Sequence, residues 1–346
     1  MHRLMQVNRW GWNLVTHAAL LVGLLTGACG PAATDPCATD NPAIAQVPVD
    51  VRIERLEKPF FQIRKPADAQ AFIGQAPLFA RQFLLRRQYP SDSVLAGQLT
   101  RLATNDGLRR FAAETQAAFG DFKPEEAQLR GAFQHIKFYF PDFRVPPVYT
   151  FISGLSQDVL VNDSVMVLGL DFFAGPKASY QPNVPGYMLR RYRRPYLVPQ
   201  AVLQISNKYV KQNFADRTLL NQMVQLGKSY YFLEKVMPCT PDSLKIGYTG
   251  RELAGVAYNE QKIWAYLLTN KLLYQTQPFV TQKYIGERPT TPEIGKEAPG
   301  RIGAWVGWQI VRAYMAENPT ITLPQLLAEE DAQKILNASK YKPRKR

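Results

Sequence analysis

Apolar residues recur at helical spacing along several segments of this chain. In one of them Leu129, Phe133, Ile136 and Phe140 lie at positions i, i+4, i+7 and i+11. This spacing puts the four side chains on one face of a helix. Together with similar apolar spacing further upstream, it predicts that residues 66–140 are mainly helical.

A second strong helix is predicted over 219–233, where two adjacent rows of apolar residues make a wide apolar face. A helix of this kind is expected near the centre of a domain. Thr249 and Thr322 are each followed three residues later by a capping-box partner, Glu252 and Gln325 respectively. This spacing marks the starts of two further helices.

Strand-like segments lie between these helical regions. An alternating segment at 49–53 suits a first strand, and β-branched runs follow at 146–152, 158–161 and 164–170. The turn residues Asn162-Asp163 between the last two runs predict a hairpin. We therefore expect an α+β fold, a mainly helical single domain with a small antiparallel sheet.

The apolar segment between Arg301 and Arg312 contains two glycines one helical turn apart, Gly303 and Gly307. Such spacing lets another helix approach closely. The run is much shorter than the roughly 20 residues that a membrane span needs. It therefore predicts a tightly packed core helix, with its two tryptophans as anchors.

The first residues have the features of an exported protein. Arg3 and Arg9 precede a short apolar run at 18–25, and small residues lead to Cys29. A charged start, a short apolar region and small residues before the cleavage point are typical of a signal peptide. We predict a lipoprotein signal peptide at 1–28 and a lipid on Cys29. The alternative is an ordinary secretory signal peptide in which Cys29 is coincidental.

The expected domain limits follow from this leader. Residues 29–48 are rich in Pro, Ala, Asp and Thr, which predicts a flexible tether. The domain itself is expected at 49–340, followed by a basic tail at 341–346. Cleavage would leave two cysteines besides Cys29, Cys37 and Cys239. An oxidising envelope compartment permits a disulfide between them, and the sequence leaves that pairing open.

Charge and histidine content narrow the function. The chain has 42 Lys and Arg against 28 Asp and Glu. Removal of Arg3 and Arg9 with the leader gives 40 − 28 = +12. His135 would then be the only histidine, which argues against most metal and acid–base chemistry.

The basic residues are clustered. Arg190, Arg191, Arg193 and Arg194 flank one tyrosine and form the candidate patch for an anionic partner. Export argues against nucleic acid, so lipid headgroups, a cell-wall polymer or an acidic protein fit better. The alternative is a solvated arginine surface that keeps the protein soluble.

Catalytic motifs are missing from the sequence. It contains neither a phosphate-binding G-x-x-x-x-G-K-[ST] loop nor a G-x-S-x-G nucleophile elbow. The carboxylates with a conceivable acid–base role are single residues: Asp171, Glu234, Glu252 and Glu260. We therefore predict no catalytic set, no metal and no cofactor.

An ordered series of short motifs links the chain to a known family. It comprises Gly169-Leu170-Asp171-Phe172-Phe173-Ala174-Gly175, Tyr187-Met188-Leu189-Arg190-Arg191-Tyr192, Leu226-Gly227-Lys228, Ile246-Gly247-Tyr248-Thr249, Asn259-Glu260-Gln261-Lys262-Ile263-Trp264 and Pro299-Gly300-Arg301-Ile302-Gly303. With the lipoprotein start, this series resembles the gliding-motility lipoprotein GldB family of the Bacteroidetes over nearly the whole mature chain. The resemblance implies a lipid-anchored envelope protein that faces the periplasm. It also implies other gliding or secretion envelope proteins as partners and carries over no catalytic residue.

A more distant likeness concerns the fold. The family is similar to predicted zinc peptidases whose helix carries His-Glu-x-x-His. In this chain the corresponding positions would be Gln204, Ile205 and Lys208. A protonated lysine cannot ligate zinc, so the likeness implies a zincin-like fold without its metal.

Three functions follow from these observations. The leading one is a non-catalytic assembly or interaction component of the gliding and secretion machinery, anchored by its lipid. The alternatives are an envelope hydrolase of peptidase type and a cell-wall binding module.

Overall fold

Amphipathic helices make up most of the computed structural model, which describes residues 41–344. The predicted helical region and the predicted central helix are both present, and both capping boxes form. Within the described residues the α-helices are α1 (Glu57–Phe60), α2 (Pro66–Gln75), α3 (Pro77–Gln82), α4 (Asp92–Ala103), α5 (Asp106–Phe119), α6 (Lys123–Tyr139), α7 (Gly186–Leu189), α8 (Arg194–Ile205), α9 (Leu219–Val236), α10 (Asp242–Ile246), α11 (Gly250–Tyr258), α12 (Glu260–Thr269), α13 (Pro278–Ile285), α14 (Ile302–Glu317), α15 (Leu323–Ala328) and α16 (Ala332–Ser339).

The sheet has four strands in the order β1-β2-β4-β3. They are β1 (Ile53–Arg55), β2 (Val148–Phe151), β3 (Val159–Val161) and β4 (Met166–Gly169). The predicted hairpin is confirmed, because β3 and β4 pair antiparallel.

The sheet as a whole is mixed, whereas the sequence predicted an antiparallel one. Strand β2 pairs parallel with both β1 and β4. Helices α1 to α6 separate β1 from β2 along the chain, and a long helical crossover returns a strand in the parallel direction. The α+β class and the mainly helical character are as predicted.

The start of the domain differs from the expected boundary. Residues Pro42–Gln46, predicted as tether, form a short 3-10 helix in which Ile44 is buried. The side chain of Gln134 on α6 donates to the carbonyl oxygens of Ala45 and Val47. This segment is therefore packed on the domain. Apolar burial stabilises it against α6, a contact that its Pro- and Ala-rich composition did not reveal.

The end of the domain also extends beyond its predicted limit. Tyr341, expected as the first residue of a basic tail, donates its hydroxyl to Glu260 at 2.9 Å. Its ring packs edge-on against Trp264 with 5.0 Å between ring centroids. Leader residues 1–28, Cys29 and Cys37 lie outside the described residues, as do residues 345–346.

Helices α9 and α14 pack against each other with their backbones in direct contact. A Cβ atom on Gly227 of α9 would lie 2.3 Å from the carbonyl oxygen of Gly307, and one on Gly307 would lie 1.8 Å from that of Met223. Both distances are far below any real Cβ contact, so only glycine fits at either position. Trp305 and Trp308 of α14 are buried, as the sequence predicted.

A buried lysine next to this contact joins three segments. Lys228 of α9 donates its ammonium group to the carbonyl oxygens of Lys211 at 2.9 Å, Leu327 at 3.3 Å and Glu329 at 2.7 Å. Burial lowers the pKa of Lys228 to about 8. Because all three donors of the ammonium group have acceptors, the charged side chain is tolerated inside the domain.

Asp171 fixes the loop at the carboxyl ends of β2 and β4. Its Oδ2 atom accepts the backbone N–H groups of Ser153 at 3.0 Å and Leu155 at 2.6 Å, while Oδ1 is buried without a hydrogen-bond partner. Burial raises the pKa of Asp171 to about 6, although these hydrogen bonds oppose the shift. Compared with the unfolded chain, the folded protein therefore favours the protonated form of Asp171.

The glycine contact predicts a sharp difference between two Gly→Ala substitutions. Gly307→Ala should lower the free energy of unfolding by about 3 kcal/mol, because the new methyl group overlaps the backbone of α9. Gly255→Ala on α11 is the matched control, since its Cβ meets nothing within 4 Å. It should raise stability by up to about 1 kcal/mol. Chemical denaturation measures both, and equal effects would contradict the close contact.

Asp171 predicts a pH dependence of stability. Its folded pKa of about 6 lies above the ordinary aspartate pKa of 3.8. The stabilisation from the protonated form is therefore complete below pH 4 and is lost as pH rises through 6. Relative to Asp171→Asn, the wild-type free energy of unfolding should fall by about 2 kcal/mol between pH 4 and pH 7. Urea unfolding of both proteins across this range tests it, and parallel curves would refute the assignment.

Candidate functional site

The predicted arginine patch lies between α7 and α8, and its members point to different partners. Arg190 pairs with Glu252 of α11 at 2.8 Å. Arg194 donates two hydrogen bonds to the carboxylate of Glu125 on α6, at 2.5 and 3.1 Å. Arg193 is exposed, and no ion pair is formed by it among residues 41–344. The structure therefore uses much of this predicted patch to join helices.

Arg191, the remaining member of the patch, lies in a cleft. It donates two hydrogen bonds to the carboxylate of Glu287, at 2.9 and 2.8 Å. The guanidinium of Arg301 approaches the same carboxylate at 3.3 Å. The arginine side chains are only 15% and 14% exposed, whereas that of Glu287 is 39% exposed. One carboxylate thus bridges two largely buried cations.

Arg301 is positioned by the start of α14. It is the N-cap residue with φ of +59°, a conformation that places its side chain beside α9 and α10. Its guanidinium donates to the carbonyl oxygen of Ile246 at 2.5 Å and to the hydroxyl of Tyr230 at 3.0 Å. It also lies 5.8 Å from the centre of the Tyr248 ring, a favourable cation–π arrangement.

Gly247 makes room for Arg191. It ends α10 with φ of +75°, a left-handed conformation that favours glycine. A Cβ atom there would lie 2.5 Å from Cδ of Arg191. Both the turn and the cleft therefore need glycine at this position.

These side chains surround a cavity of about 270 Å³, here called the arginine cleft. One wall is a single face of α8, since Tyr196, Gln200 and Leu203 are spaced by four and three residues. The charged residues of its lining are Arg191, Lys245, Glu287 and Arg301. Glu287 pairs with both arginines, and Lys245 is paired with Asp242 of α10 at 3.3 Å, so each cation of the lining has an internal acidic partner.

Two pKa shifts describe the surroundings of the cleft. Burial raises the pKa of Tyr192 to about 12, with a further contribution from Asp158, which accepts its hydroxyl at 3.1 Å. Burial opposes ionisation of Glu252, but hydrogen bonds from Arg190 and Thr249 outweigh it and hold its pKa below the usual value. Tyr192 therefore stays protonated and Glu252 charged at neutral pH.

The other carboxylates singled out in the sequence also have structural partners. Glu234 accepts hydrogen bonds from Trp308 at 2.8 Å and from Arg312 at 2.7 Å, and Arg312 also bonds Asp242 at 2.5 Å. Glu260 accepts the Tyr341 hydroxyl described above. These acids are spread over the domain and do not form one site.

His135 lies on α6 beside the apolar stripe. It is buried, and its Nδ1 atom lies 2.8 Å from the carbonyl oxygen of Gly131 one turn earlier. Burial lowers the pKa of His135. Within residues 41–344, no group of three or more His, Cys, Asp or Glu side chains is placed to hold a metal ion.

The two positions that the zinc-peptidase likeness assigns to histidine ligands, Gln204 and Lys208, lie at the C-terminal end of α8 and just beyond it. Gln204 is in the last turn of α8 and lines the arginine cleft. Lys208 lies in a following 3-10 helix and contacts Asp163 at 2.5 Å. The zincin likeness stays a prediction. Cys239 is exposed in the turn before α10. Cys37, whose pairing with Cys239 the sequence left open, lies outside the described residues.

Two residues of the cleft were not singled out as site residues in the sequence, Glu287 and Arg301. Glu287 contacts Arg191 across 96 positions of the chain, and no local pattern reveals such a pair. The glycines on either side of Arg301 were the available signal, because they mark a tight approach of the backbone before α14.

No helix among the described residues is long and apolar enough to cross a membrane. A profile of the family described as gliding motility protein GldB matches residues 37–343. Neither a curated protein nor a solved structure matches the chain. The profile match confirms the resemblance inferred from the ordered motifs and indicates a lipoprotein of the cell envelope. The chain belongs to the GldB family of gliding motility proteins.

Proposed function

We propose that this protein is anchored by a lipid on Cys29 to a membrane facing the periplasm. There it acts as a non-catalytic interaction component of the gliding machinery and its associated secretion system. The observation that carries the proposal is the family match, which begins at residue 37, only eight positions after Cys29. The leader, the lipidation site and the folded domain therefore follow each other in the order that a tethered envelope protein requires.

The side-chain contacts support a binding role over catalysis. Arg191 and Arg301 of the arginine cleft are paired with Glu287, and Asp171, Glu234 and Glu252 each hold structural elements together. A catalytic acid or base needs free access to a substrate proton. Side chains that are already held in buried hydrogen bonds are better suited to support a rigid binding surface than to transfer protons.

Within the predicted patch, Arg193 is the residue best placed to meet an anionic partner. It is exposed, while its three neighbours are held by acids of α6, α11 and the segment after α13. A free guanidinium on a rigid segment can bind a carboxylate or phosphate without first breaking an internal ion pair.

A deletion strain tests both the lipid anchor on Cys29 and the role of the protein in gliding. Loss of the gene should abolish colony spreading and reduce secreted protein, and the wild-type copy should restore both. Cys29→Ser should remove metabolic fatty-acid labelling, release the protein from membranes and fail to restore spreading. Cys239→Ser is the matched control and should keep the label. Full function of the unlabelled Cys29→Ser protein would refute the anchored role, and normal spreading of the deletion strain would refute the gliding role.

Arg194 and Arg193 should differ in how much each contributes to the free energy of unfolding. Arg194→Gln should lower the free energy of unfolding by about 2 kcal/mol, because it leaves the largely buried carboxylate of Glu125 without its charged donor. Arg193→Gln should change it by less than about 0.5 kcal/mol. If Arg193 contacts a partner, Arg193→Glu should impair spreading at unchanged stability. Denaturation and the spreading assay measure the two effects, and equal destabilisation by both Gln variants would contradict this division.

A further inference from the structure

Two phenylalanine side chains are exposed on neighbouring segments. Phe214 is 83% exposed and Phe279 is 70% exposed, although phenylalanine is among the residues most often buried. Phe214 lines a surface cavity of about 340 Å³ whose lining also includes Pro278, the first residue of α13. The backbone N–H of Leu219 donates to the carbonyl oxygen of Gln275 at 2.8 Å. This bond joins the two segments, so the loop of Phe214 and the start of α13 are neighbours on the surface.

The loop that carries Phe214 is held firmly on both sides of the ring. Before it, the buried ammonium group of Lys228 binds the carbonyl oxygen of Lys211. On either side of the ring, the side-chain amide of Asn221 donates to the carbonyl oxygens of Asn213 at 3.0 Å and Asp216 at 2.5 Å. The exposure of Phe214 is therefore built into the fold.

Cations surround the two rings. Lys211 and Arg217 lie three residues before and after Phe214, are exposed, and form no ion pair within residues 41–344. Lys283 follows Phe279 by one helical turn on the same face of α13, is exposed, and forms a long ion pair with Glu293 at 3.7 Å. One acid, Asp216, also lines the cavity, and its carboxylate accepts the N–H of Thr218. We call Lys211, Phe214, Arg217, Phe279 and Lys283 the aromatic face.

We propose that the aromatic face docks on an anionic phospholipid surface. Exposed aromatic rings insert at the boundary between headgroups and acyl chains, while neighbouring Lys and Arg side chains bind the phosphates. Each such cation strengthens binding about fivefold, corresponding to about 1 kcal/mol. Two rings and three cations on a fixed backbone are the combination that this chemistry requires.

The proposal deepens the proposed function and rests on its anchor at Cys29. Eleven residues separate Cys29 from Asn41, the first described residue, and the fully extended chain between the two spans about 40 Å. A link of this length allows the domain to turn one face toward its own membrane. Tethering also converts docking into an intramolecular step, so a modest intrinsic affinity is enough to orient the domain.

The test places a tryptophan reporter at the face. The full lipidated chain, carrying Phe214→Trp or Phe279→Trp, is reconstituted on vesicles that contain phosphatidylglycerol and bromine-labelled lipids, which quench tryptophan on contact. The matched control is Tyr180→Trp, because Tyr180 is also exposed but packs against Phe111 of α5. Wild-type protein gives the background, since Trp264, Trp305 and Trp308 are buried.

Quenching at positions 214 and 279, but not at 180, is the expected result. Lys211→Gln and Arg217→Gln in the Phe214→Trp chain should each lower the ratio of docked to undocked protein about fivefold. Arg101→Gln, an exposed cation on α4, should leave it unchanged. Vesicles of neutral phosphatidylcholine alone should give much weaker quenching, and added salt should weaken the anionic case.

Two results would overturn the proposal. Protein that pellets with the vesicles but shows no quenching at 214 and 279 keeps its anchor, and the face then serves a partner other than lipid. Equal quenching on neutral and anionic vesicles would contradict the proposed role of the cations in docking. Protein that stays in the supernatant shows instead that the anchor, and with it the proposed function, has failed.

Discussion

The contact between α9 and α14 is the constraint on which the rest of the structure depends. At Gly227 and Gly307 the two backbones touch without side chains between them, so these positions fix how closely the two helices approach. Other elements take their places from α9. Its Tyr230 binds Arg301 in the arginine cleft, its Lys228 holds the loop of the aromatic face, and its Glu234 binds Arg312. The cleft and the face are thus two surfaces of one helical core.

The basic charge of the chain is used in two different ways. Many arginines pair with acids from distant segments, as Arg191 does with Glu287 and Arg194 with Glu125. Arginine suits this purpose because its planar fork binds both oxygens of a carboxylate and remains charged when partly buried. Other arginines, such as Arg193 and Arg217, are exposed and form no ion pair within residues 41–344. Net charge alone therefore says little about partners, and the pairing of each cation decides which surfaces can attract anions.

Local signals in the sequence predicted local structure well. The apolar spacing around Phe133, the capping boxes at Thr249 and Thr322 and the Asn162-Asp163 turn each depend on residues a few positions apart. The glycine spacing in α14 likewise indicated a close helix contact. In all of these cases the geometry follows from neighbours along the chain, which the sequence displays directly.

Features that depend on distant partners could not be predicted in this way. The parallel pairing of β1 with β2 is determined by how the intervening helices pack. The bridge from Arg191 to Glu287 spans 96 positions. Ile44 was assigned to a tether because the composition around it is that of a linker, yet it is buried in the docked 3-10 helix. The exposure of Phe214 was equally hidden, since an isolated apolar residue in a sequence is normally expected inside.

The position of α14 along the chain has a consequence for how the protein matures. Synthesis proceeds from the N-terminus, so α9 is complete long before Ile302 begins the helix that covers its glycine surface. Contacts of such long sequence separation form late in folding. A nascent or truncated chain that lacks α14 leaves the apolar face of α9 open to proteases and to aggregation. The fold therefore makes completion of the chain a condition for a protected core.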